Sequence, residues 1–168
     1  ESVRITGFNQ EEAQNIARIA NGNYIAALEA IASSDDTREN FNRFISVMRL
    51  AWEASSSDKN KKYDSLKALR KWTDELAKIG REGQKDFLMY AQRMIRESFI
   101  FNLQCADLNY LTGEEKAFFT KFSPFVNEKN IEKLMQEFQL AQRHIEQNVQ
   151  AKMVFFDLSL KIILLLKI

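Results

Sequence analysis

The chain has 168 residues, 45% hydrophobic and 28% charged, with a formal net charge of +1. That length suits one domain, or one with a small appendage, able to bury a sizeable core. The composition excludes a disordered tail, and the near-neutral balance excludes polyanion binding by bulk charge alone.

Five glycines, one proline and many Ala, Leu, Glu, Lys, Gln and Arg residues predict an all-α protein. A single cysteine, Cys105, excludes an internal disulfide framework and fits a reducing cytoplasm. The opening stretch ESVRITGFNQEEAQN is polar and does not read as a signal peptide; with no initiator methionine, the chain reads as a piece of something longer.

Asn9 is the expected cap of a first helix, with Glu11 and Glu12 in its first turn and a narrow stripe of Ala13, Ile16, Ala17 and Ala20. Gly22 suits the end of that helix, and Asn23 caps a second one striped by Tyr24, Ala27, Leu28 and Ile31. The SSDD run, Ser33 to Asp36, is expected to end this pair and to mark the internal boundary. Asp36 or Thr37 then caps a helix with Phe41, Phe44, Ile45, Met48 and Trp52 on one side, widened by Val47, Leu50 and Ala51.

Beyond the loop SSSDKNKK, a helix carries Leu66, Leu69, Leu76 and Ile79 until Gly80 stops it. A long helix over 82–104 carries Phe87, Leu88, Ala91, Met94, Ile95 and Phe99. Thr112 and Glu115 form a capping box that opens GEEKAFFTKF, and Pro124 breaks the chain after it. Asn127 caps a helix striped by Ile131, Leu134, Met135, Phe138, Ala141 and Ile145. The last helix, from Ala151, is apolar almost all round, which places it centrally or in a subunit contact. Asp157 and Lys161 interrupt it, so it falls short of the ~20 apolar residues of a membrane span. The total is about seven or eight helices, with no repeat of constant period.

No GxxxxGK[ST] or GxGxxG phosphate loop is present. Cys105 and His144 fall on different expected helices, so a metal site is not expected. The acidic pairs Glu11–Glu12, Asp35–Asp36 and Glu114–Glu115 fall at expected helix starts, where they complement the macrodipole. Serines 55–57 have no histidine near them in sequence. The stretch KNKKYDSLKALRKW holds Lys59, Lys61, Lys62, Lys67, Arg70 and Lys71 with Tyr63 and Trp72 interleaved, a pattern that suits phosphate contact; Asp58, Asp64, Asp74 and Glu75 dilute it toward a solvated face. On residues alone the chain is a helical, non-catalytic, interaction-making domain, with a nucleic-acid-binding domain using the basic helix Lys59 to Lys71 as the alternative, its candidate patch being Lys61, Lys62, Lys67, Arg70 and Lys71.

The stretch EEAQNIARIANGNYIAALEAI followed by a separate helical bundle resembles the lid and collar of bacterial clamp-loader subunits. FNRFISVMRLAWE, ELAKIGREGQKDFLMYAQRMIRESFIFNL, LTGEEKAFFTKFSPFVNEKNIEKL and AQRHIEQNVQAKMVFFDLSLKIILLLK are similar to the delta-prime family of DNA polymerase III, in its Bacteroides-type form. The resemblance covers nearly the whole chain without resting on a short functional signature. It implies that residues 1–34 are part of an AAA+ lid and residues 37–168 a collar domain. The ATPase core, with its zinc cysteines and Ser-Arg-Cys finger, would lie outside this chain.

The resemblance also implies partners: gamma/tau and delta through the collar, and the sliding clamp and primed DNA only through the full complex. It implies no cofactor, no membrane and a cytoplasmic location. ATP-hydrolysing relatives open this lid helix with Gly-Ser-x-Arg. Aligning Gly22 and Asn23 with Gly-Ser puts Ile25 at the arginine, and an aliphatic side chain makes no charge-assisted phosphate contact. Phe99 and Phe101 on the long helix, and Phe155, Phe156, Leu158, Ile162 and Leu165 on the last, are the expected core or subunit-contact residues; the sequence does not separate the two roles.

Overall fold

A computed structural model describes the backbone of residues 24–103 and 113–167, and the side chains of 36–103 and 115–167. Among the described residues the protein is all-helical, with six α-helices and no strand. The chain divides into two compact units, Glu1–Glu39 and Asn40–Ile168. The expected helix over 9–20 lies outside the described residues.

Helix α1 (Tyr24–Ala54) runs without a break through Ser33–Asp36, so SSDD neither ends a helix nor lets Asp36 or Thr37 begin one. The reason is energetic. None of the four residues is Gly or Pro, and Ser or Asp costs only about 0.5 kcal/mol in a helix interior, which strong formers on both sides offset. In the larger unit α1 buries Phe41, Phe44, Val47, Met48 and Ala51, while Trp52 is half-exposed and lies on Phe125 with ring centroids 4.3 Å apart. Its end is tied by Ser55, whose hydroxyl donates to the Trp52 carbonyl at 2.6 Å.

Helix α2 (Lys59–Leu76) starts at Asp58, whose carboxylate accepts from the Asn60 and Lys61 amides. Leu69, Trp72 and Leu76 are buried at helical spacing, and the Trp72 indole donates to the Arg43 carbonyl at 3.1 Å. The helix stops at Leu76, short of the expected Ile79. Gly80, at φ +81°, supplies the left-handed residue that re-aims the chain. The Gln84 amide then donates to the Leu76 and Ala77 carbonyls, two of the acceptors that a helix end leaves open.

Helix α3 (Gly80–Asn102) buries Phe87, Leu88, Tyr90, Ala91, Met94 and Ile95, too wide an arc for a surface helix. Helix α4 (Gly113–Phe122) and the 3-10 turn Ser123–Phe125 around Pro124 follow. Phe118 and Phe122 stack at 5.0 Å, and Phe41 and Phe44 of α1 meet them edge-on at 5.8–6.2 Å. Thr112 of the expected capping box lies outside the described residues.

Helix α5 (Ile131–Glu146) buries Leu134, Phe138, Ala141 and Ile145 as its periodicity predicts. It starts at Asn130, not Asn127; Asn127 instead accepts from the Lys129 amide with its side chain. The buried Asn130 side chain accepts from the Asn127 amide and donates to the Phe125 and Leu165 carbonyls. At the other end Asn148 takes φ 65°, its amide donates to Ile145 and that of Val149 to His144, which closes a Schellman motif without glycine. Helix α6 (Ala151–Leu166) packs on α5 and α2, and α5 packs along α3. Trp72, Phe87 and Phe155 meet edge-on at 5.7–6.2 Å where α2, α3 and α6 converge.

Candidate interaction surfaces

The last helix has two apolar faces with different surroundings. Val154, Phe155, Leu158, Ser159, Ile162 and Leu166 recur three or four apart and point into the bundle. Met153, Phe156, Leu160 and Leu164 recur at the same spacing on the other side and are 66%, 39%, 38% and 66% exposed. The residues singled out from sequence are thereby sorted. Phe155, Leu158 and Ile162 are core, while Leu165, Phe99 and Phe101 are partly buried against it. Phe156 alone of the set lies on the outward ridge.

Met153, Leu160 and Leu164 were not foreseen. The signal available for them was the pair Asp157–Lys161, which marks the edge of the ridge. The Lys161 amine donates to Glu137 of α5 at 2.7 Å and meets Asp157 at 3.0 Å. The hydrogen bond to Glu137, then that to Asp157, holds the Lys161 amine above its ordinary value. This cross-brace borders the packed face of α6, whose orientation the buried Phe155, Leu158 and Ile162 set. No described helix is long and apolar enough to cross a membrane.

The cationic stretch lies on α2. Lys61, Lys62, Lys67, Arg70 and Lys71 are all exposed, as is Lys59, and Tyr63 between them is 69% exposed. The acids that dilute the run are engaged at its C-terminal end. Lys71 meets Glu75 at 3.8 Å, and Asp74 pairs with Lys152 of α6. That hydrogen bond to Lys152 is the main cause holding the Asp74 carboxyl below its usual range.

Polar side chains also meet inside the bundle. Glu115, 2% exposed, accepts from the Tyr90 hydroxyl at 2.8 Å and from Arg93 at 3.0 Å. The Arg93 guanidinium also lies over the Tyr90 ring, 5.1 Å from its centroid. Burial, then the Glu115 carboxylate, pushes the Tyr90 phenol far above its ordinary value. The cluster staples α4 to α3.

His144, half-buried in the last turn of α5, lines a cleft with Glu137, Asp157 and Lys161 that holds nothing larger than a water. No set of three or more metal-ligating side chains gathers among the described residues. Asp35–Asp36 falls inside α1, not at a helix start, whereas Glu114–Glu115 does open α4. Gly22, Asn23 and Cys105 lie outside the described residues, and Ile25 is the second residue of α1. No family of known proteins, no curated protein and no solved structure matches this chain.

Proposed function

We propose that the chain is a non-catalytic assembly module, the lid and collar part of a clamp-loader subunit of the delta-prime type. In this reading residues 37–168 form the collar, which joins gamma/tau and delta subunits. Residues 1–34 belong to the lid, with Ile25 in place of a nucleotide-sensing arginine. The chain acts in the cytoplasm, needs no cofactor of its own, and reaches the sliding clamp and the primer junction through the assembled loader.

One observation carries the assembly role: the outward ridge of α6, Met153, Phe156, Leu160 and Leu164, is apolar and open to solvent. Such a ridge is worth about 25 cal/mol for each Å² of apolar area a partner covers, and contiguous exposed apolar surface marks interaction sites. The partners named here are those that the sequence resemblance to the delta-prime family implies.

Size-exclusion chromatography with multi-angle scattering tests this, on the chain alone and mixed with a gamma/tau collar. Co-elution is expected, and the double variant Phe156→Glu/Leu160→Glu should abolish it with the helical circular dichroism unchanged. Failure of the unaltered chain to co-elute, or co-elution indifferent to the double variant, overturns the proposal.

A further inference from the structure

Residues 58–71 hold six Lys or Arg and two acids, a net +4 in a chain of net +1, so the remainder of the molecule carries −3. Lys59, Lys61, Lys62, Lys67 and Arg70 make no ion pair among the described residues. Three of the five stand in the first turn of α2, which has no acidic residue. There the helix macrodipole disfavours cations, so their placement costs the helix stability.

Lys59, Tyr63, Lys67 and Arg70 follow one another at steps of four, four and three, along one side of α2 turned away from Leu69, Trp72 and Leu76. With Lys71 they extend over about 18 Å of helix axis. Tyr63 stands among the cations with its ring in water. Neither the charges nor the ring serves the core.

We propose that this outward face of α2 binds single-stranded nucleic acid, with Lys59, Lys67 and Arg70 on phosphates and Tyr63 stacked on a base. Charge complementarity selects a polyanion, and the exposed ring among the lysines selects unpaired bases, since a duplex hides its π-faces. Asp64, exposed on the flank without an ion pair among the described residues, limits the affinity, and contacts to phosphates and ring faces leave sequence unread. The stripe binds whether or not α6 engages a subunit.

Fluorescence anisotropy with labelled 20-nucleotide oligo(dT) and a 20-base-pair duplex, across a salt series, tests it. The unaltered protein should bind oligo(dT) with log K falling against log salt at a slope of about −2, for about three phosphates met. Lys67→Glu/Arg70→Glu should weaken binding at low salt by about tenfold or more and make the slope shallower by about 1.4. Tyr63→Ala should weaken oligo(dT) binding about tenfold and leave the slope alone.

No binding at low salt, binding indifferent to the charge reversal, or a preference for the duplex overturns the proposal. So does an unchanged affinity in Tyr63→Ala. Co-sedimentation with phosphatidylserine vesicles without oligo(dT) binding also overturns it, in favour of a membrane surface.

Discussion

Helices α2 and α6 lie against each other and share the aromatic junction of Trp72 and Phe155, yet they turn opposite chemistries outward. The outer side of α2 is cationic with a tyrosine; that of α6 is a ridge of Met, Phe and two Leu. Inside, both obey one rule: large side chains three or four apart, interlocked edge-on. Outside, neither pattern helps the fold. Packing accounts for the inner faces and leaves the two outer ones, one apolar and one cationic, to the roles proposed above.

The sharpest way to break this comparison is to truncate neighbours on α6. Phe155→Ala removes a ring with 0% exposure and should cost about 3–5 kcal/mol in urea unfolding. Phe156→Ala, one residue on, should cost under about 1 kcal/mol and show its effect in co-elution instead. Equal shifts of the urea midpoint would mean that the two faces are wrongly assigned.

A smaller effect comes from the interior staple. Glu115→Ala leaves the buried Tyr90 hydroxyl without its acceptor and should cost about 2 kcal/mol. The same site predicts an alkaline limb. Because the folded phenol of Tyr90 is raised above its unfolded value of about 10, the folded state holds its proton where the unfolded state has released it. Stability from this group is therefore complete below pH ~10 and declines as pH rises beyond it. In Tyr90→Phe that part of the decline should vanish from a series of urea titrations.

The smallest effect sharpens the α2 side. Asp58→Ala deletes the cap and removes a carboxylate beside three first-turn lysines, and should lower the urea midpoint by the equivalent of about 1 kcal/mol. Under the nucleic-acid proposal the same change should tighten oligo(dT) binding slightly, since an anion next to Lys59 is removed. Loss of both stability and binding would mean that the first turn has to be intact before it can meet phosphate.

How much of this was legible depends on how each signal is encoded. The α5 stripe was plain because Leu134, Phe138, Ala141 and Ile145 alternate with polar residues at a helical period. In α6 the same period is masked: apolar residues occupy both faces, so the sequence does not say which side is inside, and only packing against α5 and α2 decides it. Ser33–Asp36 misled because residues that favour caps were read as a stop, although a helix already under way tolerates them. Asn148 gave no glycine to announce a left-handed turn. The Tyr90–Glu115 pair spans 25 positions, and no local pattern reaches that far.

The reach of Asn130 to the Leu165 carbonyl has one more consequence. A helix's closing turn ordinarily unwinds and re-forms in solution, and its last carbonyls have no partner within the helix. Here a side chain from the start of α5 holds one of them, so the turn that bears Leu164 is anchored before anything arrives. A partner docking at that end finds the backbone turn already held, so the ordering left to this side is that of exposed side chains such as Leu164.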